Sequence, residues 1–229
     1  MRRPSYDNLM EPDTPNFDSV ARAYRWMEYL SFGRMLERCR FHFLLRCSQA
    51  RHALVLGDGD GRFTARLLTS NPTVKVDAVD ASAAMLAVLH ERVRTCCGDA
   101  DTRIQTIQGD VRRFIPTRQD YDLVVSHFFL DCLTDGEVSA LIARLSPCMT
   151  QDAIWLVSEF AVPDRGWRRL GARMVIRGLY FAFLVLTGLQ VRKIPNHAKA
   201  FDDKGFHVVE KSAYLGGMLR TEVWQRRSN

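Results

Sequence analysis

The chain has few cysteines and no pattern among them. Cys39, Cys47, Cys96, Cys97, Cys132 and Cys148 include no CxxC spacing and no nearby histidine pair. A metal site or disulfide framework is therefore not expected, and a reducing cytoplasm suits the thiols. Long runs of like charge are missing too. The net charge is +6, but the basic residues are scattered apart from short clusters at Arg2-Arg3, Arg112-Arg113, Arg168-Arg169 and Arg226-Arg227. That reads as a solvated basic surface rather than a nucleic-acid groove. The opening MRRPSYDNLMEPDTP has no apolar core, so it does not read as a signal peptide. The strongly apolar stretch 174–186 contains Arg177 and falls short of the roughly 20 residues that cross a bilayer. It reads as a buried helix or a wall over a pocket, with no transmembrane segment expected. At 229 residues the chain is long enough for one domain with a sizeable core and a cap, and too short for two full domains.

The chain is organised around Ala53-Leu54-Val55-Leu56-Gly57-Asp58-Gly59-Asp60-Gly61, followed by an apolar pattern at helical spacing from Arg62. This predicts a strand, a tight turn and a helix start. Glycine accepts positive φ there and lets backbone N–H groups approach a ligand with no Cβ in the way. The helix that follows points its unpaired N–H groups at whatever lies above the strand. The run 74–79 alternates like a strand and ends on Asp80, which lies 23 residues after Gly57. An acid about 20 residues on, at the tip of the next strand, suits a hydrogen bond to a nucleoside ribose.

Residues 1–16 read as a flexible tail and 17–229 as one domain. Within it, 17–50 reads as an N-terminal helical cap of two helices broken near Ser31-Phe32-Gly33, and 165–191 as an apolar insertion helix over the substrate pocket. The pattern predicts helices over 62–70, 81–86 onward, 135–145 and 195–204. Strands are predicted over 74–79, 103–108, 121–126 and 153–159, with a closing hairpin of 206–214 and 218–225 around Gly216-Gly217. Ser82 is placed to cap its helix. Strands alternating with helices predict a parallel α/β sheet. Gly57 to Gly61, Asp80, Asp110, His127 and Glu159 then fall at the carboxyl ends of strands, the edge where such sheets bind ligands.

The pattern resembles the class I S-adenosylmethionine-dependent methyltransferases over about 17–226, and most of all the ubiquinone/menaquinone-biosynthesis C-methyltransferase-like group. The residues that carry the resemblance are Phe17 to Tyr24, Val55 to Gly61, Asp80-Ala81-Ser82 with Met85, Gly109-Asp110-Val111, and Tyr121 to Ser126. It implies a Rossmann-like, mostly parallel seven-stranded sheet with a C-terminal antiparallel hairpin, helices on both faces and an N-terminal helical cap. It implies that the turn of Gly57, Asp58, Gly59 and Gly61 holds the methionine end of S-adenosylmethionine. It further implies that Asp80, with Ala81, takes the ribose, and that Asp110 faces the adenine amino group, with Val111 and Met85 against the ring. Gly109 and Ser126 complete the implied cofactor set. One departure stands out: the family usually has an acid two residues before its first glycine, where this chain has Val55. Asp58 is the candidate to supply that carboxylate near the methionine ammonium. A Rossmann oxidoreductase is the rival reading, but it prefers GxGxxG, and here the third glycine comes one residue early.

Methyl transfer from a sulfonium is an in-line displacement helped by alignment and exclusion of water, and it needs a base only if the acceptor must lose a proton. His127 is the candidate base, because histidine titrates in the right range. Asp131 is the candidate to orient His127 or bind the acceptor. No Asn-Pro-Pro-aromatic sequence stands at 126–129, where many nucleic-acid adenine methyltransferases carry one; Ser126-His127-Phe128-Phe129 is there instead. Tyr24, Trp26, Phe128, Glu159, Trp167 and Tyr180 are candidate substrate contacts, and the aromatic ones suit a hydrophobic or aromatic small molecule. The expected function is methyl transfer to a carbon or oxygen of such a molecule, by a monomer or homodimer with at most peripheral membrane contact and no nucleic-acid partner. RNA or protein methylation, or a silent nucleoside-binding scaffold, are the alternatives.

Overall fold

A computed structural model describes residues 34–161 and 195–227. The expected tail, the expected insertion at 165–191 and the candidates Tyr24, Trp26, Trp167 and Tyr180 lie outside the described residues. The chain enters with helix α1 (Arg34–Phe41) and a short 3-10 turn (Leu44–Cys47), then alternates β1 (His52–Leu56), α2 (Arg62–Ser70), β2 (Lys75–Asp80) and α3 (Ala83–Cys96). The one-turn helix α4 (Ala100–Arg103) leads into β3 (Ile104–Gln108), and β4 (Tyr121–His127), α5 (Asp135–Leu145) and β5 (Met149–Phe160) follow. After residue 194 come α6 (His197–Asp202), β6 (Phe206–Tyr214) and β7 (Leu219–Arg226).

The seven strands form one sheet in the order β3-β2-β1-β4-β5-β7-β6. Neighbours from β3 to β5 pair parallel, and β7 runs antiparallel to both β5 and β6. The central strands are apolar on both faces because helices cover both. Leu54, Leu56 and Val124 belong to the core under α5 and α6, while Ala53, Val55, Leu123 and Val125 belong to the core under α2 and α3. On the first side Phe201 of α6 stacks on Trp224 at 4.7 Å and meets Trp155 edge-on at 5.0 Å. Each of these fully buried aromatics stabilises the fold by roughly 1.5–3 kcal/mol or more.

Helix starts follow their capping residues. The Ser82 hydroxyl accepts the Met85 N–H at 3.2 Å, and Thr134 and Glu137 form a reciprocal capping box at the start of α5. The closing hairpin turns through Leu215, Gly216 and Gly217, all at positive φ.

Candidate active site

Gly57, Gly59 and Gly61 adopt φ of 61°, 60° and 77°, a left-handed backbone that L side chains seldom enter. They differ in what surrounds them. A Cβ on Gly57 would lie 2.2 Å from the Phe129 ring, whereas one on Gly59 would meet nothing within 4 Å. The turn is thus closed underneath by Phe129 and open above Gly59, where a ligand can approach the backbone. Gly61 stands at the N-cap of α2 and has no side chain to cap it. Asp58 reaches forward instead: its Oδ2 accepts the Thr64 N–H and hydroxyl, both at 2.8 Å, and its Oδ1 accepts the Phe63 N–H at 3.4 Å. Burial pushes the Asp58 carboxyl up, and the Arg40 charge on α1 and the Thr64 bonds pull against that.

Asp80 ends β2 beside this turn, which is tied to the strand by the Gly57 N–H donating to Val79 O at 2.9 Å. Its Oδ1 accepts the Ser82 N–H at 2.9 Å. Burial raises the Asp80 carboxyl to about 6, helped by the neighbouring Asp58 charge and opposed by backbone N–H groups of Ser82, Gly59 and Ala81. Gly109 follows β3 and donates to Asp80 O at 3.0 Å, with open space at its Cβ position. Asp110 is held by Arg112, whose Nε lies 2.9 Å from both carboxylate oxygens. Partial burial raises that carboxyl, but the arginine outweighs it and the net shift is downward. Met85 and Val111 are buried behind these two acids. The tips of β1, β2 and β3 therefore bring together the glycines, Asp80 with Ala81, Met85, and Gly109 to Val111.

At the end of β4 the candidates separate. Ser126 faces the core, where its hydroxyl accepts the Trp155 Nε1–H at 3.0 Å, so a ligand would meet it only through its backbone. His127 points to the opposite face, edge-on to Phe63 of α2 at 4.6 Å. Both its ring nitrogens are buried and have no hydrogen-bond partner among the described residues, and burial, reinforced by Arg40, lowers its pKa well below the usual histidine value. Phe128, at φ 54°, packs with Leu36, Cys39 and Leu219 and lies 5.7 Å from the Arg40 guanidinium. Asp131 does not join His127. It lies on the α5 side beside Glu159, where burial pushes its carboxyl up to about 6 while Cys132 and the His197 charge oppose the rise. Glu159 ends β5, and its Oε1 accepts the N–H groups of Phe129 at 3.3 Å and Leu130 at 2.8 Å. Burial and then the Asp131 charge drive Glu159 well above the ordinary carboxylate range.

Residues 53–152 match the model of a family described as Methyltransferase domain. This stretch is similar to that family. No curated protein sequence matches the chain. Among solved structures, an O-methyltransferase family protein from Burkholderia thailandensis aligns over 91% of this chain and 60% of its own, at 16% identity and a TM-score of 0.70. The mitomycin 7-O-methyltransferase MmcR aligns over 88% of this chain and 60% of its own, at 20% identity and a TM-score of 0.62. RosA from Streptomyces davawensis, an N,N-8-amino-8-demethyl-D-riboflavin dimethyltransferase, covers 93% of this chain and 62% of its own, at 21% identity and a TM-score of 0.61. The chain thus spans about 60% of the length of these structures, and the likeness is one of fold. The matched stretch ends within β5, so α6, β6 and β7 are joined to it by the fold rather than by the family model.

Three residues of this region were not among the sequence candidates. Arg40 carries a local signal, a charge inside the buried Leu36–Cys39–Arg40 spacing of α1. His197 and Glu222 have none, because they are 25 residues apart and only the placement of β7 brings them together.

Proposed function

We propose that this chain transfers the methyl group of S-adenosylmethionine to a hydrophobic or aromatic small molecule. The observation that carries this is the left-handed glycine turn, open above Gly59, set against Asp80 at the neighbouring strand tip. It gives backbone N–H groups and a ribose-binding carboxylate at the spacing an adenosyl ligand needs. When bound, that cofactor supplies an electrophilic methyl group on a sulfonium.

In this reading Gly57, Asp58, Gly59 and Gly61 hold the amino-acid end, with Arg40 across from Asp58. Asp80 and Ala81 hold the ribose, and Met85, Gly109, Asp110 and Val111 hold the adenine, with Asp110 shared between the ring and Arg112. Ser126 contributes its backbone. The acceptor lies beyond β4 and β5 against Phe128, Glu159 and Asp131. His127 enters as a neutral imidazole with two unpartnered nitrogens, able to hydrogen-bond a ligand that reaches it. In this reading the methylated atom is a hydroxyl oxygen, whose proton must pass to a base. The C-methyltransferase-like reading rests in part on residues 17–24, outside the described residues.

The test is incubation with methyl-tritiated S-adenosylmethionine and a panel of phenols, catechols, quinols and prenylated phenols. Label in an organic-extractable product, dependent on the acceptor, is the expected result. Label in RNA with a steep salt dependence, or bound cofactor with no consumption across the panel, would overturn the assignment.

A further inference from the structure

Glu222 lies on the face of β7 that carries α6, opposite Val157 of β5. Its Oε2 accepts the Trp224 Nε1–H at 3.1 Å and lies 3.1 Å from His197 Nε2, and Arg220 Nη1 is 3.6 Å from its Oε1. Burial would raise this carboxyl, but the His197 bond and charge, with Arg220 and Trp224, more than offset it and keep it ionised. A carboxylate only accepts, so His197 Nε2 must carry the proton and Nδ1 the lone pair. Among the described residues Nδ1 has no hydrogen-bond partner. His197 opens α6, and the preceding residue ties that helix to the start of α5, four residues after Asp131, through the Asn196 N–H donating to Asp135 Oδ1 at 2.6 Å. A histidine of fixed tautomer therefore stands among carboxylates on the acceptor side of the sheet, across from the face that buries His127.

We propose that His197 is the base that takes the acceptor's proton, with Glu222 as its positioning residue. This rests on the methyl-transfer reading above. As the acceptor oxygen bonds to the methyl carbon, its O–H bond breaks and the proton goes to His197 Nδ1, while the electron pair of the broken carbon–sulfur bond stays on sulfur. The imidazolium so formed keeps its Nε2–H on Glu222, which holds the ring in place. The other groups facing it are weaker. Arg220 shares Glu222 from β7, the Asp135 carboxylate of α5 is engaged by the Asn196 N–H, and Lys199 of α6 is exposed and paired with Asp203. The Cys132 thiol, kept protonated by burial, adds no charge.

The experiment uses the whole protein, saturated with S-adenosylhomocysteine, and para-nitrophenol as the probe, at a pH about one unit below the probe's own pKa. Its ionisation is read from the phenolate absorbance, and nucleoside binding from the shift in melting temperature. The proposal expects the bound phenol to be ionised in the wild type. The signal should fall at least about tenfold in His197→Gln and in Glu222→Gln and persist in Lys199→Gln, with the nucleoside shift equal in all four proteins. Loss in His197→Gln with full signal in Glu222→Gln overturns the positioning role. No phenolate in a wild type that binds the nucleoside overturns the proposal and leaves methyl transfer standing. No nucleoside shift in the wild type overturns methyl transfer itself.

Discussion

Glu159 Oε1 accepts the Leu130 N–H at 2.8 Å, tying the end of β5 to the turn after β4, while Oε2 is buried with no hydrogen-bond partner. Burial and Asp131 raise this carboxyl above its ordinary 4.5. The folded state therefore holds the proton more tightly than the unfolded chain. The stability this contributes is complete below about pH 4.5 and is lost as pH rises towards the folded value. Asp131, raised to about 6, acts in the same direction. Glu159→Gln keeps the shape without the titration, so its stability should gain on the wild type as pH rises above about 4.5, by up to about 1.4 kcal/mol per pH unit. Parallel melting curves against pH for the two proteins would contradict the assignment.

Asp58 has a structural duty besides any ligand contact. Asp58→Ala strips the N–H and hydroxyl of Thr64 of their acceptor and leaves the buried Arg40 without its facing carboxylate. The expected cost is about 1–3 kcal/mol in urea unfolding. Asp58→Asn should recover part of it, since its amide oxygen can still accept.

Two glycines of one turn should respond differently to alanine. Gly59→Ala meets no atom, so only the left-handed backbone costs it, about 1–2 kcal/mol. Gly57→Ala adds a collision with Phe129 and should cost more. Phe129→Ala in the same chain should relieve the excess, so the double variant should be more stable than the sum of the two single changes predicts. Strict additivity would show that the ring does not close the turn.

The proposed contact of Asp80 with the ribose predicts a pH dependence of nucleoside binding. Ribose hydroxyls donate to the ionised carboxylate, and the ligand-free carboxyl sits at about 6. Affinity for S-adenosylhomocysteine should be full above that value and fall as pH drops through it, by up to about tenfold per unit. Calorimetric titration at several pH values would show this slope in the wild type and a flat, weaker response in Asp80→Asn, about ten- to a hundredfold down at neutral pH.

Much of this arrangement was legible because its signals are local. The glycines, the acid at the end of β2, and the bounds of α2, α5 and β6 follow from patterns within a dozen or so residues. β5 starts four residues earlier than its apolar run implies. Thr150, Gln151 and Asp152 are polar and partly or fully exposed, but Met149 pairs with Tyr121 across an irregularity in the register. The cap made by Asp58 depends on Gly61 occupying a position that cannot cap itself. The separation of His127 from Asp131 depends on which face of the sheet each one meets, and the three residues between them hide it. The meeting of His197 with Glu222 needs the reversed strand β7, and nothing local announces it.

The central claim is an adenosyl site at the tips of β1 and β2, and thermal unfolding with and without S-adenosylmethionine and S-adenosylhomocysteine tests it most directly. At about 100 times its dissociation constant the ligand should stabilise the wild type by about 2.7 kcal/mol, and Asp80→Asn should lose most of that gain. A folded wild-type protein that neither nucleoside stabilises, or that NAD stabilises instead, would contradict the account.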